Sequence, residues 1–467
     1  MSGKTARKII SPYDGELVGE VSFASYDHLT EAIAAAEKAY GVFSSFPAHK
    51  ISAYLSHIQK QLQEKKDMFA KLIALEAGKP IKYARMEVDR AIHTFEIAAR
   101  EAWQLYGMTL PMDHRPWGEN RWAQVERFPI GVIGSITPFN FPLNLVAHKL
   151  GPAVASRNTL VHKPAPLTPL TSLRLAECCD TDLVPPGTIN VVPCDNEAAA
   201  ALVKDPRIKL LTFTGSASVG WDIKRQAYQK KVCLELGGNS AAIIHSDARL
   251  DDAMTACARG AFSFSGQSCI SVQRIFVEKS RFDEAVQELI RVTKTLKAGN
   301  PLEEDTDIGP MISSVAADRV MAWVQEAVSR GAVCLLGNER LGNLIYPTIL
   351  TRTTAEMKVN CEEIFGPVVT IEPYSSFEEA IRRTNDSAYG LQAGVFTQDV
   401  DRIRYAYRTL QVGGVIINDA PTWRMDHMPY GGMKRSGNTK EGVRYTMEEM
   451  TEAKLLAISF LPYPPCL

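Results

Sequence analysis

The sequence predicts an α/β protein of two domains, and three observations carry that prediction. The chain has 467 residues, more than one hydrophobic core normally fills. From residue 129 onward, short apolar stretches alternate with amphipathic ones, the rhythm of strand–helix–strand units feeding a parallel sheet. A second alternation of the same kind runs from about 241 to 435. Composition is ordinary for a folded protein, with 45% apolar and 22% charged residues and a formal net charge of −1. That balance predicts neither a nucleic acid nor an acidic membrane surface as a partner.

Taken in order, the first hundred residues read as helices. "SYDHLTEAIAAAEKAYGVF" and "ISAYLSHIQKQLQEKKDMFAKLIALEAGKP" space their apolar residues by three and four and end near Gly or Pro. Between 109 and 128, a Trp-Gly-Glu-Asn turn separates two short segments and predicts a hairpin. The strands expected next are 130–136, 158–163, 189–193, 210–214 and 232–236. Those of the second unit fall in "AAIIHS", "RIFVEK", "VVTIEPY" and "VGGVIIND", which puts the domain boundary near "ELGG", 235–238. The uncharged run 128–148 is long enough to span a membrane, but its three prolines, two glycines and two asparagines argue against a membrane helix. "MSGKTARKII" lacks the apolar stretch of a secretory signal. Nine cysteines, odd in number and without a C-x-x-C pair, read as reduced thiols. The expectation is a soluble cytoplasmic protein.

The signatures of a G-x-G-x-x-G dinucleotide loop, a P-loop, an H-E-x-x-H zinc site and a G-x-S-x-G elbow are all missing, and the nine histidines show no metal-ligand spacing. Four local features remain. "FTGSASVG" (213–220) carries a strand through Gly215-Ser216 into a helix, whose free amides suit a phosphate and equally suit an ordinary serine-capped turn. "LELGGNS" puts Glu235 at the end of an apolar strand, as a satisfied structural acid or a base raised by burial. "GQSCIS" sets Cys269 among small residues; a free thiol, with pKa about 8.5, needs activation to be a nucleophile, and burial as inert filler is the commoner fate. "ITPFNFPLNLVAHKLGP" places Asn144 and His148 four apart on one helix face, just after Asn140. A polar stripe is usually a solvated face, yet the only charge here is Lys149.

Together these segments resemble one family, the NAD(P)-dependent aldehyde dehydrogenases. "TPFNFP", "HKPAPLTP", "FTGSASVG", "LELGG", "GQSC", "EEIFGPV", "NDSAYGL" and "PYGGMKRSG" occur in the family's order along most of the chain, and Glu235 and Cys269 stand the family's 34 positions apart. The resemblance implies a Rossmann-like cofactor domain (1–108 with 129–236), an α/β catalytic domain (237–437) and a β oligomerisation arm (109–128 with 448–467) that pairs copies into homodimers or homotetramers. It implies Cys269 as nucleophile, forming a thiohemiacetal and then a thioester. Asn140 and the Cys269 amide would hold the oxyanion, and Glu235 would activate the hydrolytic water. NAD or NADP would contact Thr137, Pro138, Phe139, Lys163, Pro166, Gly215, Ser216, Gly220, Leu236, Glu363 and Phe365. Many members carry Glu at the place of Pro166, where its carboxylate repels a 2′-phosphate, so NADP should be tolerated here.

Within the family, "FNFPLNLVAHK" and "EGVRYTMEEMTEAK" look most like the branch of lactaldehyde, non-phosphorylating glyceraldehyde-3-phosphate and phosphonoacetaldehyde dehydrogenases. A substrate tunnel of Asn144, His148, Ser268 and Ile270 then suggests a small hydroxylated or anionic aldehyde, with His148, Arg100 or Arg424 receiving the anion. The alternatives are a CoA-acylating semialdehyde dehydrogenase, an acyl-phosphate reductase and a catalytically silent binding protein. Glu235 argues against the first two, because neither needs a water-activating base.

Overall fold

The computed structural model describes residues 6–460. Cys466 and the last seven residues of the expected arm lie outside them, as do the first five residues of the chain. A five-stranded parallel sheet runs in the order Ile189–Val191, Thr159–Lys163, Val132–Ile136, Ile208–Gly215, Lys231–Leu236. Chain order reverses between Val132–Ile136 and Ile208–Gly215, and the crevice at the carboxyl ends of two such strands is where open α/β sheets bind ligands. The three central strands are buried along most of their length, which explains why they read as continuous apolar runs.

The second sheet has seven strands, in the order Val333–Leu336, Thr348–Thr351, Val368–Tyr374, Val272–Glu278, Ser240–Ile244, Gln392–Phe396, Gly414–Ile417, with only the first pair antiparallel. The chain passes from Leu236, the last residue of the first sheet, to Ser240, the first of the second, through Gly237-Gly238-Asn239. The junction is stitched from above by a returning segment. Leu236 N–H donates to Ser436 O at 2.9 Å, and Asn438 N–H donates to Leu234 O at 3.2 Å.

The N-terminal helices Ala48–Glu64, Lys66–Ala77 and Ile81–Glu101 pack against Asn144–Ala155 in one core. That core is completed from far along the chain by Val443 and Met447 of the helix Val443–Glu449. The expectation of helices alone in the first hundred residues is corrected by an antiparallel hairpin, Ala6–Ile10 with Leu17–Ser22. Only Ile9 and Val21 of these two strands are buried, so neither shows the apolar alternation that marks a half-buried strand.

A third sheet joins Thr451–Ser459, Arg121–Pro129 and Met108–Pro111, all antiparallel. Its outer strand Thr451–Ser459 has no sheet partner on its far side among the described residues. Leu455 and Leu456 are each 55% exposed there. Among the described residues no helix is long and apolar enough to cross a membrane, and the uncharged run 128–148 breaks into strand, turn and helix.

Candidate active site

A cavity of about 540 Å³ opens at the carboxyl edge of the five-stranded sheet, where it meets the amino edge of the seven-stranded one. Asn140, Glu235 and Cys269 all line it, although 129 residues separate the first from the last. Cys269 follows the helix Leu250–Phe262 through three left-handed residues, Phe264, Ser265 and Gly266 (φ 51°, 57° and 66°). Two non-glycine residues in that region are costly and persist only where the surroundings hold them. Here Ser265 Oγ donates to Gly309 O at 2.6 Å, and Gln267 Oε1 accepts from Ile312 N–H at 2.9 Å. The Cys269 thiol meets the Tyr430 hydroxyl at 3.0 Å. Burial pushes the thiol up to about 11, while Tyr430 and the Arg424 guanidinium pull against it.

Asn140 sits in the turn between Val132–Ile136 and Asn144–Ala155. Its Nδ2 donates to Gln267 O at 2.9 Å, which ties it to the Cys269 loop. Beneath both loops the buried Lys79 ammonium pairs with Glu87 and lies 3.7 Å from the Phe141 ring centroid and 4.5 Å from that of Phe264. Glu87 Oε1 accepts from the amides of Leu143 (2.9 Å) and Asn144 (3.2 Å), the open start of the helix that Pro142 introduces. One ion pair therefore braces the Asn140 turn against the Cys269 loop.

Glu235 is the penultimate residue of the strand Lys231–Leu236, and burial, followed by the charge of Glu441, raises its carboxyl well above the usual range. Oε1 is 3.3 Å from Thr439 Oγ1, whereas Oε2 is buried without a protein partner, an acceptor open to a water or a reacting group. Glu441 went unrecognised in the sequence. Lys149 Nζ donates to its Oε1 at 3.0 Å and Arg424 to its Oε2 at 3.3 Å, and these cations hold it down to about 2 against its burial. The signal was present in Lys149, the lone charge of a buried helix, which required a carboxylate somewhere.

The remaining cavity wall includes Pro138, Phe139, Gly215, Ser216, Leu236, Glu363 and Phe365. Phe139 and Phe365 meet edge to face at 5.8 Å. The helix Ala217–Gln226 starts at Ser216 with no side-chain cap, so its first amides face the cavity mouth unclaimed, as an anionic group such as a pyrophosphate requires. Glu363 Oε1 accepts from Gly238 N–H at 3.1 Å, and burial pushes the carboxyl up to about 7. A Cβ on Gly237 would lie 2.0 Å from Glu363 Oε2, so only glycine admits this approach. Behind this wall Lys163 ends its strand and Thr137 follows the end of the neighbouring one; Thr137 N–H donates to Lys163 O at 3.3 Å, and Lys163 Nζ donates to Asn196 Oδ1 at 3.0 Å.

Besides Thr137 and Lys163, three expected residues lie outside the cavity lining. Gly220 does not line the cavity: a Cβ there would lie 2.4 Å from Leu236 Cδ2, so it serves close packing of its helix on the strand. Pro166 lines a separate groove with Tyr13, Glu76 and Leu167. Of the expected tunnel, Asn144, Ser268 and Ile270 line the cavity, but His148, one helical turn deeper, is fully buried. Its Nε2 is 2.9 Å from Asp426 Oδ1, and burial and Arg424 lower its pKa, so it packs behind the cavity as a partner of Asp426. Of the two candidate arginines, Arg424 lines the cavity, while Arg100 lies on an outer helix face paired with Glu96. Arg90, which the sequence did not single out, also lines it, with Nη2 2.7 Å from Asp426 Oδ1. Among the described residues no cluster of His, Cys, Asp or Glu could hold a metal ion.

Known proteins resemble this chain in sequence and fold. The family model "Aldehyde dehydrogenase family" matches residues 1–456. A 3-sulfolactaldehyde dehydrogenase of Priestia aryabhattai is 43% identical over 459 residues, covering 97% of this chain and 96% of its own. A lactaldehyde dehydrogenase of Methanocaldococcus jannaschii is 40% identical over 457 residues, covering 97% of each. Aldehyde dehydrogenase 21 of Physcomitrella patens, solved with its reaction product succinate, superposes with a TM-score of 0.96 at 41% identity, over 98% of this chain and 96% of that one. The glyceraldehyde-3-phosphate dehydrogenase GapN of M. jannaschii, solved with NADP, superposes with a TM-score of 0.95 at 39% identity, over 98% and 100%. A cysteine, a buried acid and an asparagine gathered at the switch point of a parallel sheet, in a chain matched over nearly its whole length, make this protein a member of the aldehyde dehydrogenase family.

Proposed function

We propose that the protein oxidises a small anionic aldehyde, one bearing a carboxylate, sulfonate or phosphate, to its carboxylic acid with NAD(P). The observation that carries the substrate class is the pair Arg90 and Arg424, which share the cavity with Cys269 and Asn144. Each guanidinium is anchored by a carboxylate, Asp426 or Glu441, through part of its five-donor fork. Arg424 Nε is buried and has no protein partner. Relatives named for sulfolactaldehyde and a neighbour holding succinate agree with this reading.

In the proposed reaction the Cys269 thiolate attacks the carbonyl carbon. The oxyanion forms against Asn140 Nδ2 and the Cys269 amide, and fixed donors of this kind are worth about 2.7–4 kcal/mol each. Bound NAD(P) supplies the hydride acceptor. It would be held by the amides at Ser216, by Lys163 and Glu363 at its riboses, and by the Phe139–Phe365 wall. Glu235 takes a proton from water, whose oxygen attacks the thioester and releases the acid and the thiolate. With Pro166 turned to another groove, no carboxylate three residues after Lys163 opposes a 2′-phosphate, and we assign dual cofactor use.

The test is NAD(P)H production at 340 nm without CoA, over anionic and neutral aldehydes of equal length. Wild type should prefer the anionic members. Arg90→Leu should lose kcat/KM on these by about 10- to 100-fold, as the loss of a charge-assisted hydrogen bond predicts, and keep it on neutral ones, whereas Arg424→Leu, which also removes a cation that favours the Cys269 thiolate, should lose it on both and most on the anionic members. Preference of wild type for hexanal or benzaldehyde rejects the substrate class, and turnover by Cys269→Ala rejects the mechanism. The open edge of Thr451–Ser459 fits pairing with a second copy, and mass photometry should find a dimer or tetramer.

A further inference from the structure

Among the described residues, the Cys269 sulfur has one hydrogen-bond partner, the Tyr430 hydroxyl at 3.0 Å. Tyr430 is 3% exposed and packs with Ile270 and Leu391, and its backbone N–H is fixed to Glu441 O at 3.0 Å. The Arg424 guanidinium lies 3.7 Å from the centroid of its ring. A cation on the face of a phenol draws electron density from the ring and makes the hydroxyl a better donor.

We propose that Tyr430 is a catalytic residue: its hydroxyl donates a hydrogen bond to the Cys269 sulfur and stabilises the thiolate that attacks the aldehyde. This rests on Cys269 being the nucleophile. Burial lifts the phenol of Tyr430 well above its ordinary range, so the hydroxyl keeps its proton and stays a donor. The groups facing Cys269 are Tyr430 and Arg424, which favour the thiolate, and Glu363 and Glu235, which oppose it. Without the hydroxyl, the two carboxylates and burial act against Arg424 alone. The thiol proton leaves to water before the attack. The sulfur pair then forms the S–C bond as the carbonyl π pair moves to oxygen, and Tyr430 retains its own proton throughout.

Alkylation of Cys269 by iodoacetamide reads the thiolate directly, since the sulfur pair displaces iodide with no cofactor or aldehyde present. The rate is followed against pH by mass spectrometry of the Cys269 peptide, in the full-length wild type and Tyr430→Phe. The phenylalanine keeps the ring under Arg424. We expect the midpoint of the profile to rise by about one pH unit, the size of a charge-assisted hydrogen bond. Below the wild-type midpoint, alkylation should then slow about threefold, because a tenfold smaller thiolate fraction is offset by a more basic and more nucleophilic sulfur. Above the new midpoint the variant should equal or exceed wild type. 3,5-Difluorotyrosine placed at position 430, a stronger donor of nearly the same shape, should move the midpoint down. An unmoved or lowered midpoint in Tyr430→Phe, or one uniform slowing at every pH, overturns the proposal, as does an unmoved midpoint in the fluorinated variant. Aldehyde oxidation by Cys269→Ala would instead reject the nucleophile assignment and leave the alkylation profile intact.

Discussion

Glu87→Gln removes one charge from beneath the active site and almost nothing else. The amide can still accept from the N–H groups of Leu143 and Asn144, which Glu87 Oε1 now meets at 2.9 and 3.2 Å. What it cannot do is compensate Lys79, whose side chain is 1% exposed and wedged between Phe141 and Phe264. Burial already pushes that ammonium down to about 8 with Glu87 opposing the fall, so the variant must hold either an uncompensated charge or a neutral amine at neutral pH. Breaking a buried pair from one side costs about 3–5 kcal/mol. Lys79→Met, which strands the carboxylate, should cost a similar amount. The double variant leaves neither charge and should fall short of the sum by about 3 kcal/mol, the upper end for groups in contact. A chain with two large sheets need not unfold in one step, so the informative assay is hydrogen exchange of the amides in Asn144–Ala155. An opening constant raised more than 100-fold in each single variant, and less than additively in the double, is expected. A parallel fall in kcat without a matching change in cofactor affinity should accompany it, because the brace sets Asn140 against Cys269. Additive effects, or a cost below about 1 kcal/mol for Glu87→Gln, would refute the brace.

Other outcomes follow from the same geometry. Gly237→Ala drives a methyl into Glu363, which must leave Gly238 N–H; cofactor affinity, read by tryptophan quenching, should weaken about tenfold or more. Glu235→Gln should leave a burst of about one NAD(P)H per site and a thioester on Cys269 visible by mass spectrometry, with turnover slowed about 10²–10⁴-fold. Since the Glu235 carboxyl is raised well above the usual carboxylate range, its base form is lost at a higher pH than an ordinary carboxylate's, so wild-type thioester hydrolysis should slow toward acid pH while the Gln variant stays flat. Glu363 stands at about 7 folded against an ordinary 4.5, so the folded chain holds the extra proton between those values. Its contribution to stability is complete below about 4.5 and declines as pH rises through 7, and thermal melts of Glu363→Gln should lack that decline.

The strands of both parallel sheets could be seen in the sequence because burial on both faces writes them as unbroken apolar runs. Cys269 after Gly266-Gln267-Ser268 and Glu235 before two glycines stood out less clearly, because each local setting equally suits an inert thiol or a structural acid, and only the ordered set of motifs along the chain implied their roles. Depth was hidden. Asn144 and His148 share a helix face, but the cavity ends one turn before His148, where Asp426 and Thr94 close over it. Which arginine reaches the site was equally hidden, because the carboxylates that orient Arg90 and Arg424 come from Asp426 and Glu441, far along the chain or on another loop. Gly220 was expected to touch the cofactor and is a packing glycine, a role set by Leu236 on a strand that the local sequence does not name.

The helix Val443–Glu449 closes a core whose other members all lie within the first 184 residues. During synthesis the ribosome must therefore add some 260 residues, a delay of roughly 13–50 s at 5–20 residues per second, before Val443 and Met447 emerge to cap it. Through that interval the early helices expose the apolar seat those two side chains will fill. The second sheet is made in the meantime and has no such debt to later sequence. Maturation is thus expected to run out of chain order, with the C-terminal half settling first and the N-terminal half finished last.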